Sequence, residues 1–135
     1  IVPGPQWDWF SPEIRERLLS ECYRVSGRSD RMGLRLEGVP LERSRPGEMT
    51  SEPVVTGAIQ VPPDGQPIVL GAYRQTIGGY PVVACIASVD WERLAQLRPG
   101  DTVRLVEITH DEAERLVAEQ SQGLALLREG LRHHD

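Results

Sequence analysis

The most constraining feature of this chain is the segment from Gly57 to Pro81, in which two apolar stretches flank a compact turn sequence. Proline presets its own backbone and glycine accepts a positive φ, so Pro62-Pro63-Asp64-Gly65 predicts a tight turn. The flanking stretches predict the two strands of a hairpin, with apolar content from Ala58, Ile59, Val61, Ile68, Val69 and Leu70. Together with the many other short apolar runs, this hairpin favours a mainly β domain.

Four polar residues lie in or just after the predicted hairpin strands, and the burial of apolar strands does not explain their presence. They are Gln60, Arg74, Gln75 and Thr76. One interpretation is a binding site: Arg74 is suited to hold a carboxylate, and the two glutamines to bond an amide or lactam. Tyr80, after Gly78-Gly79, would then close the pocket. The other interpretation is a hydrogen-bond network that holds the sheet together, with Tyr80 at its core or rim.

Further short elements are predicted on either side of this segment. A strand over residues 1–6 precedes an aromatic cluster, and Ser11-Pro12-Glu13 predicts a helix that ends near Ser20. Strands are expected at residues 22–25, around Leu34 and Leu36, at 81–89 and at 102–108, where Val103, Leu105 and 106–108 are expected to face inward. Residues 41–51 predict a loop. Asp90 is expected to cap a short helix over residues 91–97.

The C-terminal part predicts an amphipathic helix. Thr109 and Glu112 fit a capping box. The apolar stripe that follows comprises Ala113, Leu116, Val117, Leu124, Leu127 and Leu131. Gly123 interrupts this helix and weakens it by about 1 kcal/mol relative to alanine.

Composition excludes several classes of function. The net charge of −5 argues against a nucleic-acid partner, and no apolar run reaches the roughly 20 residues of a membrane span. All 15 positive charges are arginine. A chain without lysine offers no biotinyl-lysine, Schiff-base lysine or P-loop lysine. ATP or biotin, if either enters the reaction, must therefore come from another domain or subunit.

The cysteines and histidines do not form a recognisable site. Cys22 and Cys85 are far apart among apolar residues and are expected to be reduced core thiols, which favours a cytoplasmic location. His110 opens a helix and His133 and His134 lie near the C-terminus, so zinc binding and Cys-His catalysis are not expected. No complete set of nucleophile, base and orienting residue is visible, and no residue is assigned as catalytic.

Two further groups of residues leave alternatives open. Ser29, Asp30 and Arg31 occupy a predicted turn in which Asp30 bonds local backbone, or in which Arg31 clamps a carboxylate. Trp7, Trp9 and Phe10 are either core residues or an apolar surface that contacts another polypeptide. We expect at least one of the two tryptophans to lie at a partner interface.

Four blocks of sequence resemble one known family. They are PGPQWDWF at residues 3–10, SDRMGLRLEG at 29–38, the hairpin segment at 57–81 and RLAQLRPGDTVR at 93–104. In this order they resemble the biotin-dependent carboxyltransferase family, which includes allophanate hydrolase subunit 2, the C subunit of 5-oxoprolinase and the Kip-type kinase-inhibitor antagonist. The resemblance implies a cyclophilin-like β-barrel with a few short helices. It also implies that residues 1–135 are one domain, the C-terminal half of a longer two-half protein.

The resemblance implies three possible functions. The first is a part of a heteromeric, ATP-dependent 5-oxoprolinase that binds its lactam substrate through Arg31, Arg74, Gln60, Gln75, Thr76 and Tyr80. The second is a carboxyltransferase or allophanate-type role in urea metabolism, and the third is non-catalytic relief of a histidine-kinase inhibitor. Partners are expected to be the other half and a B-type subunit. Tyr73 and Ile77 depart from the family's acidic residue and threonine, which bears on what the site binds.

Overall fold

Short antiparallel strands form most of the regular structure in the computed structural model, which describes residues 1–30, 32–44, 49, 52–71 and 77–121. The strands within these ranges are β1 (Val2–Pro3), β2 (Tyr23–Val25), β3 (Gly33–Glu37), β4 (Glu52–Pro53), β5 (Ala58–Gln60), β6 (Ile68–Leu70), β7 (Ile77–Gly78), β8 (Val82–Cys85) and β9 (Thr102–Val103). The helices are α1 (Pro12–Ser20), α2 (Trp91–Ala95) and α3 (residues 110–121). The predicted mainly β class is confirmed.

Seven of these strands form one curled sheet in the order β1-β8-β5-β6-β3-β2-β9, and β4 pairs with β7 in a separate ribbon. Two backbone hydrogen bonds connect the outer edges of the curled sheet. The Ile1 nitrogen donates to the Val106 carbonyl at 2.6 Å, and the Ile108 N–H donates to the Ile1 carbonyl at 2.8 Å. These bonds bring the start of the chain to residues 106–108, which follow β9, so the curled sheet has the form of a half-barrel.

The predicted hairpin of the Gly57–Pro81 segment is present. β5 pairs with β6 in antiparallel register, with Ile59 opposite Val69. The Gly65 N–H donates to the Pro62 carbonyl at 2.9 Å, and Gly65 has a φ of 78°. That left-handed conformation is the one that the Asp-Gly sequence predicts.

The register divides the sheet into two faces. Opposite residues of paired strands point to the same side, so Leu34, Val69 and Ile59 share one face. This face covers the main core, whose largest fully buried side chains include Tyr23, Phe10, Leu18, Leu36 and Ile59. On the other face a smaller cluster forms from Val54, Ala58, Leu70 and Val82.

Helix α1 follows its sequence signals. The Ser11 hydroxyl accepts a hydrogen bond from the Ile14 N–H at 3.3 Å, and Pro12 occupies the first turn. Leu18 is fully buried, so the helix packs against the main core. The strand predicted at residues 22–25 is also confirmed, since Tyr23 and Val25 are both buried and Arg24 is exposed.

Several predicted boundaries were wrong. β1 ends at Pro3 and is followed by a 3-10 turn at Trp7–Trp9, and β8 ends at Cys85 before a second 3-10 turn, Ser88–Asp90. Asp90 makes no side-chain cap; its carboxylate lies 3.7 Å from Arg93 instead. β9 ends at Val103. Leu105 is buried as predicted, but Val106 is 66% exposed.

Two further expectations concern the C-terminal helix and the cysteines. Glu112 N–H donates to the Thr109 hydroxyl at 3.1 Å, so the predicted cap is present. Residues 122–135, with the rest of the predicted stripe, lie outside the described ranges, and Leu116 and Val117 are both exposed. Cys22 is not a core thiol, because it is exposed, whereas Cys85 is half-buried; both are free.

Candidate functional site

The structure describes two of the six residues predicted to bind substrate. Gln60 and Tyr80 lie in described ranges, whereas Arg31, Arg74, Gln75 and Thr76, as well as Tyr73, lie outside them. Ile77 begins β7, where it is the register partner of Pro53. The geometry of the predicted site is therefore built from Gln60, Tyr80 and the residues around them.

Gln60 is a buried polar residue at the end of a central strand. It is 7% exposed and lies opposite Ile68 on one side and Val82 on the other. Because it follows Ile59 in β5, its side chain points to the smaller cluster of Val54, Ala58 and Leu70 rather than to the main core. A primary amide offers both a donor and an acceptor, which are the complements of a lactam C=O and N–H.

A backbone hydrogen bond brings the segment that contains Tyr80 next to the segment that contains Gln60. The Val61 N–H donates to the Pro81 carbonyl at 3.0 Å, so the residues that follow Gln60 and Tyr80 in sequence are hydrogen-bonded to each other. Tyr80 itself is 45% exposed. A rim position for this side chain agrees with the structure, and a core position does not.

The turn before position 31 is fixed by hydrogen bonds. Asp30 Oδ1 accepts from the backbone N–H groups of Met32 at 2.8 Å and Gly33 at 3.2 Å. The Ser29 hydroxyl accepts from the Arg35 N–H at 2.9 Å and donates to its carbonyl at 3.3 Å. The interpretation of Asp30 as a turn residue is confirmed, as is that of Asp64, which accepts from the Gln66 N–H at 2.9 Å.

A cavity of about 530 Å³ lies between the sheet and α2, and the sequence reasoning did not anticipate it. Most of its walls are apolar, and Ser29, Asp30 and Thr56 add polar groups. Among the described residues its lining is Val25, Ser29, Asp30, Leu34, Thr56, Val69, Leu70, Gly71, Trp91, Leu94, Ala95, Leu97 and Pro99. The available signal was the spacing of Trp91 and Leu94, which places both on one side of a helix.

Gln60 does not line the cavity, whose sheet side lies mainly on the opposite face; Leu70 is the lining residue that belongs to the smaller cluster. Leu34 and Val69 line the cavity and pair with each other in register, on the face that also carries Ile59. Gln60 is on the opposite face and is not among the lining residues. The structure thus separates two regions of interest: the buried amide near Tyr80, and the cavity beside Asp30 and Trp91.

The two tryptophans of the N-terminal aromatic cluster are half-buried. Trp7 and Trp9 both pack against the main core, and Phe10 is fully buried within it. The Arg15 guanidinium carbon lies 5.4 Å from the centroid of the Trp7 ring, which is within range of a cation-π contact. Each tryptophan keeps part of its surface accessible, and their predicted role at a partner interface stays a prediction.

No group of three or more metal-ligating side chains is present in the part of the chain that the structure describes.

Burial raises the pKa of the Cys85 thiol, which disfavours the nucleophilic thiolate. The Cys22 sulfur lies 3.7 Å from an Arg104 guanidinium nitrogen at the surface. No described helix is long and apolar enough to cross a membrane.

Comparison with known proteins gives a consistent result. The sequence model of the family described as "Carboxyltransferase domain, subdomain A and B" matches residues 1–107. The chain is 39% identical over 121 residues to the C subunit of the 5-oxoprolinase of Escherichia coli strain K12, covering 90% of this chain and 38% of that protein. The corresponding 5-oxoprolinase protein of Haemophilus influenzae is 44% identical over 115 residues, covering 85% of this chain and 37% of that protein.

The fold is also found in a larger enzyme of known structure. The crystal structure of the Kluyveromyces lactis urea carboxylase superimposes with a TM-score of 0.83 at 26% identity. The match covers 90% of this chain and 12% of that one. In each of these comparisons the chain spans well under half of the relative's length.

Proposed function

This chain belongs to the carboxyltransferase domain family, subdomains A and B, and from that membership we propose that it is part of a subunit of a heteromeric, ATP-dependent 5-oxoprolinase. The observation that carries the proposal is the identity of 39% and 44% to the C subunits of two 5-oxoprolinases. These values exceed the 26% identity to the urea carboxylase. The reaction is hydrolysis of the lactam C–N bond of 5-oxoproline to give glutamate.

In the proposed enzyme this domain binds substrate and does not supply a nucleophile. Arg74 and Arg31 hold the carboxylate of the substrate, because guanidinium groups bind carboxylates bidentately. Gln60, Gln75 and Thr76 bond the lactam amide, and Tyr80 covers it. The support from the structure is the position of Gln60, a buried amide whose neighbouring backbone is hydrogen-bonded to the residue after Tyr80.

ATP, and biotin if it is used, come from other domains or subunits, because this chain contains no lysine to carry biotin or to hold a phosphate chain. The partners are the remainder of the subunit and a B-type subunit. Both cysteines are free, which suits the reducing environment of the cytoplasm.

Reconstitution tests this assignment. The chain is joined to the remainder of its subunit and mixed with the partner subunits, and glutamate release from 5-oxoproline is followed with and without ATP. We expect ATP-dependent release that Arg74→Ala abolishes. Arg24→Ala, which removes an exposed arginine from β2, should leave the rate unchanged. Unchanged KM and rate in Arg74→Ala would show that the substrate-binding assignment is wrong.

Urea carboxylation is the second candidate, because the structural match to the urea carboxylase extends over 90% of the chain. The same preparation is therefore assayed with urea, bicarbonate and ATP, and its partners are tested for avidin binding. Turnover of urea without turnover of 5-oxoproline would favour this second candidate. A stable complex that turns over neither substrate would favour a purely regulatory role.

A further inference from the structure

We propose that the cavity between α2 and the sheet binds a small organic molecule that has an apolar body and an ammonium group, with the ammonium beside Asp30. This inference goes beyond the 5-oxoprolinase assignment, because neither Gln60 nor Tyr80, the two described residues of the proposed substrate site, lines the cavity. It concerns residues that the proposed substrate site leaves without a function.

The size and walls of the cavity suit an apolar molecule. Its volume of about 530 Å³ lies within the range of roughly 300–1,000 Å³ that is common for small-molecule sites. Leu34 and Val69 form the sheet side, and Leu94 and Leu97 form the side of α2 and the residues after it. Both sides of an apolar molecule placed between these two walls would be removed from contact with water.

Asp30 gives the cavity a fixed negative charge. Its Oδ1 accepts two backbone N–H groups, which holds the carboxylate in one orientation. In the described ranges, the arginine–carboxylate ion pairs are Arg15–Asp8 and Arg93–Asp90, so no described arginine neutralises Asp30. Since an ionised carboxylate accepts about four hydrogen bonds, its second oxygen retains the capacity to receive a donor from a ligand.

Trp91 adds a second feature that favours a cation. The indole N–H donates to the Ile86 carbonyl at 3.1 Å, which holds the ring at the cavity while 42% of the residue stays exposed. The electron-rich face of an indole attracts ammonium groups. An aromatic ring and a carboxylate that no described arginine neutralises, both on one apolar cavity, therefore favour positive over negative charge.

An apolar segment of a partner protein is the competing occupant. Met32 and Val55, which neighbour the lining residues Asp30 and Thr56 in sequence, are 46% and 57% exposed. The Asp30 carboxylate favours the amine as the occupant, because a purely apolar segment would remove water from Asp30 without offering it a hydrogen-bond donor.

The test compares two probes of matched shape and opposite charge, 2-phenylethylamine and 3-phenylpropionate, titrated against the 135-residue chain. Binding is followed by calorimetry and by tryptophan fluorescence. We expect saturable binding of the amine, with a Kd roughly tenfold or more below that of the acid, as for a hydrogen bond to a charged group. Asp30→Asn, which keeps an oxygen acceptor for the Met32 and Gly33 N–H groups, should remove this preference.

Asp64→Asn is the matched control, because Asp64 accepts a backbone N–H in a similar turn and does not line the cavity. It should bind both probes as the unchanged chain does. Equal or tighter binding of 3-phenylpropionate to the unchanged chain would overturn the proposal, as would absence of saturable amine binding. Loss of partner-subunit association in Trp91→Ala, with no amine binding, would instead identify a protein interface. None of these measurements depends on ATP-driven turnover, so their failure leaves the 5-oxoprolinase assignment unaffected.

Discussion

Gln6 and Val82 are joined by two hydrogen bonds, one between their backbones and one from the Val82 backbone to the Gln6 side chain. The Gln6 N–H donates to the Val82 carbonyl at 3.0 Å, and the Val82 N–H donates to Gln6 Oε1 at 2.9 Å. Gln6 is only 8% exposed. Gln6 thus provides hydrogen-bond partners for the Val82 N–H and carbonyl of β8, past the residue where β1 ends. Val82 lies next to the register shift that falls between Ile59 and Gln60 in the neighbouring β5.

We expect Gln6→Leu to destabilise the fold. Leucine has a similar size but no acceptor, so the buried Val82 N–H loses its partner at a cost of about 1–3 kcal/mol in the free energy of unfolding. Gln66→Leu is the control, because Gln66 makes a similar pair of hydrogen bonds with the Gly38 backbone where solvent can replace it. Urea unfolding of both variants measures the difference, and equal losses would contradict this interpretation of Gln6.

Gly57→Ala should disturb both stability and the position of Trp91. Gly57 has a φ of 85°, and a Cβ placed there would lie 2.8 Å from Trp91 Nε1. The left-handed backbone alone costs alanine about 1–2 kcal/mol. Gly27→Ala, with no atom within 4 Å of the added Cβ, should be tolerated. Tryptophan fluorescence and urea unfolding report the two effects, and an unchanged spectrum in Gly57→Ala would argue against the contact.

Alkaline pH should destabilise the fold through Tyr23. Burial, together with the Glu21 carboxylate, raises the pKa of Tyr23 to about 12. The folded state therefore retains a proton that the unfolded chain loses above about pH 10, so stability is present below pH 10 and falls as the pH rises toward 12. The loss attributable to this residue amounts to roughly 2–3 kcal/mol.

The check on Tyr23 is urea unfolding across the alkaline range, with Tyr23→Phe as the matched variant. Phenylalanine lacks the ionising hydroxyl and its contact with the Val39 carbonyl at 3.4 Å, so it should start slightly less stable and lose less stability with pH. Parallel pH profiles for the two proteins would show that Tyr23 is not the source.

Trp7→Ala and Trp9→Ala should weaken association with a partner polypeptide while the domain stays folded. Exposed tryptophan surface at an interface commonly contributes enough that its removal weakens binding roughly tenfold or more. Affinity for the B-type subunit is measured together with unfolding of each isolated variant. Loss of cooperative unfolding would instead assign the residues to the core, against which both already pack.

The sequence predicts the parts of the fold that local chemistry determines. Ser11-Pro12 marks the start of α1, and the turn at Gly65 and the alternation in β3 follow from residue type and spacing. Gln60 is recognisable from the sequence because an amide within an apolar strand is unusual, and in the structure it is buried.

Long-range relationships were not predictable in the same way. Trp91 lines a cavity with Val25 and Leu34, residues distant in sequence, and no local pattern indicates that they meet. Asp90 has the residue type of a helix cap, but a preceding 3-10 turn gives it a φ of −102° and a ψ of 1°, which removes the capping geometry. The exposure of Cys22 likewise depends on the position of the following strand β2, which lies between β3 and the short edge strand β9.

The hydrogen bonds between Ile1 and residues 106–108 have a consequence for folding. They join residues about 105 positions apart, whereas the β5–β6 hairpin closes over a few residues. Loop-closure entropy makes the distant contact the more costly one to form, so we expect the hairpin to form before the contact at Ile1. In the native state we expect this contact, held by two hydrogen bonds, to open more readily than the central strands, so amide hydrogen exchange should be faster at Ile108 than at Ile59.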